Sequence, residues 1–191
     1  KEIHHRVKNN LEMIMSLVYM QQRNSNTKEV KENMQSISLR IESIASLHQQ
    51  LMEQTDKVDL KKYIQHLVAN VSNLLGDNKK IITYLEIQQL EVPQKISFPL
   101  GLIINEWITN SIKYAQPIAD PLTLFIEIKN DNKQIKVTYF DNGIAQNTLP
   151  QKKTLGLDIV NLLVAQLNAT LQPNTDNIFT YHLIIPLKSD E

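Results

Sequence analysis

Two runs of apolar residues at helical spacing constrain this chain more than any other feature. Ile3, Val7, Leu11, Ile14 and Val18 recur every three or four residues, with Leu17 just beside them. At about 100° per residue they fall on one stripe of a helix that is expected to end near Arg23. Asn24-Ser25-Asn26-Thr27 then breaks the pattern and supplies an N-cap for a second helix. Beyond it Val30, Met34, Ile37, Ile41, Ile44, His48 and Leu51 repeat at intervals of four and three, the spacing of a heptad seam. Two such helices joined by a short polar link fold as an antiparallel hairpin, and their stripes are too long for one hairpin to bury. The expectation is a homodimeric four-helix bundle over residues 1–56, with His48 packed in its seam.

The same wheel separates two adjacent histidines. His5 points about 170° away from the apolar stripe, between Glu2 one turn before it and Asn9 one turn after it. His4 lies only about 70° from the stripe, where its ring flanks the seam. One histidine is therefore offered to solvent and the other is half claimed by packing. Taken alone, an exposed histidine is an ordinary solvated side chain.

Composition narrows the classes. A chain of 191 residues with 42% apolar content holds one large core or two small ones. Lysine plus arginine equals aspartate plus glutamate at 20 each, so charge gives no argument for a nucleic-acid partner. With no cysteine, disulfides and thiolate metal sites are excluded. No run has the apolar length of a membrane span and no signal-peptide pattern is present, so this stretch is expected to be cytoplasmic without touching a membrane. It begins with lysine, which suggests a fragment whose upstream part, in a membrane or not, lies elsewhere.

Gln54-Thr55-Asp56-Lys57-Val58-Asp59 is short and polar and reads as a boundary, giving domains at 1–56 and 57–191. Asp59 caps a helix carrying Leu60, Ile64, Leu67, Val68, Val71 and Leu75 that stops at Gly76. Lys80 to Ile87 reads as a strand. Pro99 is expected to open a helix running from Leu100 to Ala115. Leu122 to Lys129 and Ile135 to Phe140 are strands joined by a hairpin turn at Asn130-Asp131-Asn132-Lys133. A loop is expected from Asp141 to Thr154, then a helix from Leu155 to Leu167 and a last strand from Phe179 to Leu187. The fold class is α+β: a helical hairpin followed by an α/β sandwich with helices on one face of a mixed sheet.

Three segments carry chemistry. Glu106, Asn110 and Lys113 share one helical face at spacings of four and three. A carboxylate, an amide oxygen and an ammonium there suit an oxygen-liganded Mg²⁺ and the phosphates it bridges, though many amphipathic helices show such a face. Asp141-Asn142-Gly143 follows a strand and reads on its own as a turn. Thr154-Leu155-Gly156-Leu157 opens a helix, where backbone N–H groups receive anions, and Lys152 and Lys153 stand just before it.

Glu2-Ile3-His4-His5-Arg6-Val7-Lys8-Asn9-Asn10-Leu11 resembles, nearly word for word, the phosphoacceptor box of sensor histidine kinases of the HWE/HisKA-like subfamily. Leu102-Ile103-Ile104-Asn105-Glu106 through Lys113-Tyr114-Ala115 is similar to the N box of their ATPase domain, the Bergerat or GHKL fold. Asp141-Asn142-Gly143 resembles the first glycine box, and Thr154 to Val160 the second. The resemblance implies that His5 takes a phosphoryl group from ATP and passes it to an aspartate of a response regulator. A neutral imidazole attacks phosphorus readily, and product forms more easily if a base removes the other ring proton. Glu2 is placed to orient or deprotonate the ring, while the position directly after the histidine, often acidic in such kinases, is Arg6. Asn9 occupies the place of a residue that positions water for dephosphorylating the regulator. The resemblance further implies that Asn110 holds Mg²⁺ with help from Glu106, and that Lys113, next to Tyr114, contacts phosphate. Asp141, followed by Gly143, would accept the adenine amine. Leu155, Gly156 and Leu157 would meet phosphate, with Lys152 and Lys153 in a short lid.

The chain departs from the family at its glycines. Ala145 stands where a second glycine follows Asp-Asn-Gly, Leu167-Asn168-Ala169 replaces a helix-ending glycine pair, and none precedes the last strand around Asn177-Ile178-Phe179. Four glycines is few for a fold in which backbone approaches phosphate. Two other readings therefore stay open: a non-catalytic phosphotransfer or scaffold dimer, and a GHKL ATPase in which Glu106 activates water.

Overall fold

A computed structural model of the chain describes residues 13–21, 23, 27, 30, 34, 37, 38, 41, 45, 57–75, 80–115, 117, 120–131, 133–144, 155–173 and 178–187. The chain divides into two compact units, Lys1–Asp56 and Lys57–Glu191.

In the first unit, residues 13–21, 23, 30, 34, 37, 38, 41 and 45 are helical. Apolar side chains there are poorly covered: Met13, Ile14, Leu17, Met20 and Val30 are exposed, while Met34, Ile37 and Ile41 are half-buried. Ser38 is buried and donates its hydroxyl to the Met34 carbonyl at 3.1 Å, a back-bond that satisfies a polar group inside a helix.

The second unit begins with β1 (Lys57–Asp59), whose last residue starts helix α1 (Leu60–Leu75). Asp59 Oδ1 accepts the Lys62 N–H at 3.2 Å, the expected N-cap bond to a donor that the helix leaves without a partner. Leu60, Ile64, Leu67, Val68 and Val71 are buried along the predicted stripe, and Tyr63 is buried with them. Strand β2 (Ile81–Ile87) follows, and β3 (Glu91–Pro93) returns to pair antiparallel with β1. Neither β1 nor β3 was expected, because three residues carry no readable alternation.

Helix α2 (Gln94–Tyr114) is the central helix, packed against α1 on one side and α3 (Leu155–Gln166) on the other. It starts at Gln94, not at Pro99. Pro93 holds extended dihedrals as the N-cap, and Pro99 lies inside the helix. Pro99 lacks the N–H that would reach the Lys95 carbonyl, a loss of about 3 kcal/mol in a helix interior. Burial of Pro99, Leu100, Ile103 and Ile104 offsets it, since a fully buried aliphatic side chain contributes about 1.5–3 kcal/mol. Gly101 lets α1 approach: a Cβ there would stand 2.1 Å from the Tyr63 hydroxyl.

The main sheet runs β2-β4-β5-β7-β6, with β4 (Leu122–Asn130), β5 (Gln134–Ile144), β6 (Thr170–Pro173) and β7 (Ile178–Pro186). β2 pairs parallel with β4 and every other pair is antiparallel, so the sheet is mixed. Leu124, Ile126, Ile128, Ile135, Val137, Leu183 and Ile185 alternate along their strands onto one buried face, which the helices cover. The β4–β5 turn is held as expected by Asp131, whose Oδ1 accepts Gln134 N–H at 3.0 Å and Lys133 N–H at 3.2 Å.

Two further expectations change. Asp141–Ile144 is not loop: it extends β5, with Asp141 opposite Leu124 and a register shift against β7 between Phe140 and Ile144. Pairing on both sides of it, at Asp141 with β4 and at Ile144 with β7, and a bridge from Gly143 to Pro117 outweigh the turn preference of Asn-Gly. And β6, unexpected, forms the sheet edge after α3.

Candidate functional site

The polar face of α2 runs from buried to open. Glu106 is only 3% exposed, Asn110 and Lys113 are half-buried, and Tyr114 is 68% exposed. These residues therefore do share one helix, and the step of four and three residues carries that face outward toward the helix end.

The next residue after Asn110 ties this helix to the sheet. Ser111 Oγ donates to Asp141 Oδ2, and Gly143 N–H donates to Asp141 Oδ1 at 2.8 Å. Asp141 is 2% exposed. Burial pushes its carboxyl above the ordinary value, against the opposing bonds from Ser111 and Gly143. Tyr139, two residues earlier on the same face of β5, shares a 2.6 Å hydrogen bond with Ser111 Oγ. Its ring tilts against Trp107 at 5.5 Å, and Trp107 stacks on Tyr181 of β7 at 5.0 Å and 15°. Burial, and secondarily the charge of Asp141, pushes the Tyr181 hydroxyl up to about 12. A buried carboxylate among phenols and an indole has acceptor capacity beyond its two intramolecular donors, which is what an incoming N–H would require.

Backbone packing explains the glycine. A Cβ on Gly143 would lie 2.7 Å from Asp141 Oδ1 and 3.0 Å from Ala115 Cβ, and Gly143 bridges to Pro117. Only a residue without a side chain lets the end of α2 and β5 meet this closely. Asn142 points its amide elsewhere, accepting Thr123 N–H at 2.8 Å and donating to the Pro121 carbonyl at 3.1 Å. It secures the turn with the cis Asp120–Pro121 bond.

Gly156 is buried and Leu157 half-buried in the first turn of α3, and Leu155 is the first residue of that helix. Because α3 packs on α2, its N-terminal N–H groups belong to the same helical layer as Asn110. Glu2, His5, Asn9, Lys152 and Lys153 lie outside the described residues. Sequence reasoning missed Ser111, Tyr139, Trp107 and Tyr181. Tyr139 offered one signal, a two-residue step from Asp141 that puts both on one face of a strand; nothing local pairs either with Ser111.

The family model for histidine kinases matches residues 2–75, nearly all of the first unit and the second through the end of α1. Residues 2–75 thus match the histidine kinase family, and relatives named as histidine kinases align with most of the chain. Blue-light-activated histidine kinase 2 of Erythrobacter litoralis is 28% identical across 89% of this chain and 51% of its own length. Sensor histidine kinase PdtaS of Mycobacterium tuberculosis is 29% identical across 90% of this chain and 35% of its own. This chain thus spans about half, or about a third, of the length of those relatives. Among solved structures, the histidine kinase domain of the Erythrobacter litoralis blue-light-activated kinase EL346 superposes with a TM-score of 0.67 at 23% identity. That superposition takes in 97% of this chain and 89% of the other, and at that identity it speaks for the α+β fold alone.

Proposed function

We propose that this chain is the transmitter core of a two-component sensor kinase, in which residues 57–191 bind ATP and residues 1–56 carry the acceptor histidine on a dimeric hairpin. The observation that carries this reading is the buried Asp141 carboxylate, fixed to the helix of Glu106, Asn110 and Lys113 through Ser111. In it Asp141 accepts the exocyclic amine of adenine, a buried hydrogen bond that selects the base. Lys113 and the N-terminal N–H groups of α3 at Leu155, Gly156 and Leu157 neutralise phosphate charge, with Lys152 and Lys153 closing over it.

The donor set suits Mg²⁺ carried by a nucleotide. Among the described residues no cluster of three histidine, cysteine or acidic side chains exists to hold a metal alone, whereas one amide and one carboxylate suffice when phosphates supply the other ligands. Asn110 and Glu106 would hold the ion, which would supply positive charge beside the phosphates.

The reaction is an in-line displacement. A ring nitrogen of His5 forms the new P–N bond as the bond from γ-phosphorus to the β,γ-bridging oxygen breaks and ADP leaves; the other ring nitrogen sheds its proton, with Glu2 the nearest carboxylate in sequence. The phosphoramidate then yields its phosphoryl group to an aspartate of a response regulator. Asn9, one turn beyond His5, would position water for the reverse task of dephosphorylating that regulator. The exposed Met13, Leu17 and Met20 support a second copy as the hairpin's partner.

The test is incubation with γ-labelled ATP and Mg²⁺ beside His5→Gln and His4→Gln. Acid-labile, alkali-stable label that disappears only in His5→Gln is expected. A folded, ATP-bound chain that takes no label would favour the relay dimer, and phosphate release persisting without His5 would favour the water-activating ATPase.

A further inference from the structure

The hydroxyls of Tyr139 and Ser111 form a chain that ends on Asp141, and the transfer chemistry above does not use them. Ser111 has a single proton. Donated to Asp141 Oδ2, it leaves Ser111 Oγ to accept from Tyr139, so the 2.6 Å contact runs from the phenol to the serine whenever Asp141 is a carboxylate. Gly143 N–H occupies the other oxygen at 2.8 Å. A carboxylate with one donor on each oxygen cannot turn about its Cβ–Cγ bond without giving one up. The donors arise on different elements, α2 and β5, so the carboxylate plane is set by how the helix lies on the sheet.

The far end of the chain is fixed as well. Tyr139 is fully buried, and its ring lies against Trp107, itself stacked on Tyr181. Buried rings in such contact hold their rotamers. The phenol therefore reaches Ser111 from a fixed direction.

We propose that Ser111 and Tyr139 are positioning residues for base selection, which hold the Asp141 carboxylate aimed at a purine amine and stop it from turning to accept a different edge. The inference rests on the nucleotide reading of this site. Adenine presents an amine donor where guanine presents a carbonyl oxygen, and a fixed acceptor repels the second. A carboxylate free to turn would meet guanine through its ring N–H and amino group instead. Ser111 and Tyr139 thus act on which base is chosen more than on whether phosphate binds.

The test is displacement of trinitrophenyl-ATP from the full chain by ATP and by GTP, in the unmutated protein, Ser111→Ala, Ser111→Thr and Tyr139→Phe, with melting followed by circular dichroism. Ser111→Ala is expected to weaken ATP about tenfold, the scale of one lost hydrogen bond to a charged group, while GTP is unchanged or tighter. Tyr139→Phe, which removes one terminal oxygen and keeps the ring, should move the ratio the same way by less. Ser111→Thr should restore it by returning a hydroxyl. Equal losses for both nucleotides, or an unchanged ratio in Tyr139→Phe, would overturn the proposal while leaving ATP binding intact. An unmutated chain that binds no ATP would overturn the nucleotide reading and this inference with it.

Discussion

Two aspartates in this chain show how the same side chain serves opposite ends. Asp131 lies in the exposed β4–β5 turn, where a side-chain bond from Gln134 at 3.1 Å and backbone donors hold its carboxyl down at about 2. A depressed value means stability that is present above the ordinary value of 3.8 and lost as pH falls through about 2. Asp141 is the reverse case. Burial raises its folded value, so the folded state holds that proton better than the unfolded chain does, and the associated stability is lost as pH rises through the raised value. Wherever Asp141 is ionised, its buried charge costs stability. Asp141→Asn is therefore expected to leave the melting temperature equal or higher while weakening ATP about tenfold or more. Calorimetric melting and titration on the same preparation check it, and a large loss of stability would show Asp141 to be structural.

At the scale of elements, the end of α3 explains how the chain does without a glycine pair. Asn168 adopts φ of 49°, Asn168 N–H donates to the Ala165 carbonyl and Ala169 N–H to the Val164 carbonyl, both at 3.0 Å. This is the Schellman arrangement, with asparagine at the left-handed position that glycine usually fills. Asparagine tolerates that region better than other residues with a Cβ. Asn168→Gly should be neutral or stabilising, and Asn168→Ala should cost about 1 kcal/mol, read as a shift of the urea midpoint without a change of slope. Equal midpoints for both variants would remove the backbone explanation. Helix α2 solves a different problem, a proline inside the helix, by burying the turns around it so that packing outweighs one missing bond.

For the whole molecule, what stands out is apolar surface left open in the first unit. Leu17 is 59% and Met20 62% exposed, and side chains of this kind lying on one helical stripe mark an interface more often than a free surface. If the hairpin dimerises as proposed, the unmutated chain sediments as a dimer at micromolar concentration. Leu17→Glu, which puts a charge in the seam, should then raise the dissociation constant at least about tenfold. A monomeric unmutated chain would count against the bundle. No described helix is long and apolar enough to cross a membrane.

The elements legible in the sequence were those with a local period: the stripe of α1 capped by Asp59, strand β2, the alternation of β4 and the first half of β5, α3, and the last strand β7. Each is fixed by residues within a turn or two of one another, so the pattern can be read without knowing the neighbours. The short strands β1, β3 and β6 exist only because another strand lies beside them, and the early start of α2 overrides Pro99 only because its first turns are buried. Asp141-Asn142-Gly143 reads locally as a turn, yet becomes strand because Asp141 pairs with β4, Gly143 bridges to Pro117, and pairing with β7 resumes at Ile144. At the site, sequence alone picked out Asn110, Lys113 and Asp141 as polar residues in recognisable boxes. That Ser111 and Tyr139, 28 residues apart, would meet beneath Asp141 was decided by the packing of helix on sheet, because a hydrogen bond across elements depends on distance in space and leaves no period in the chain.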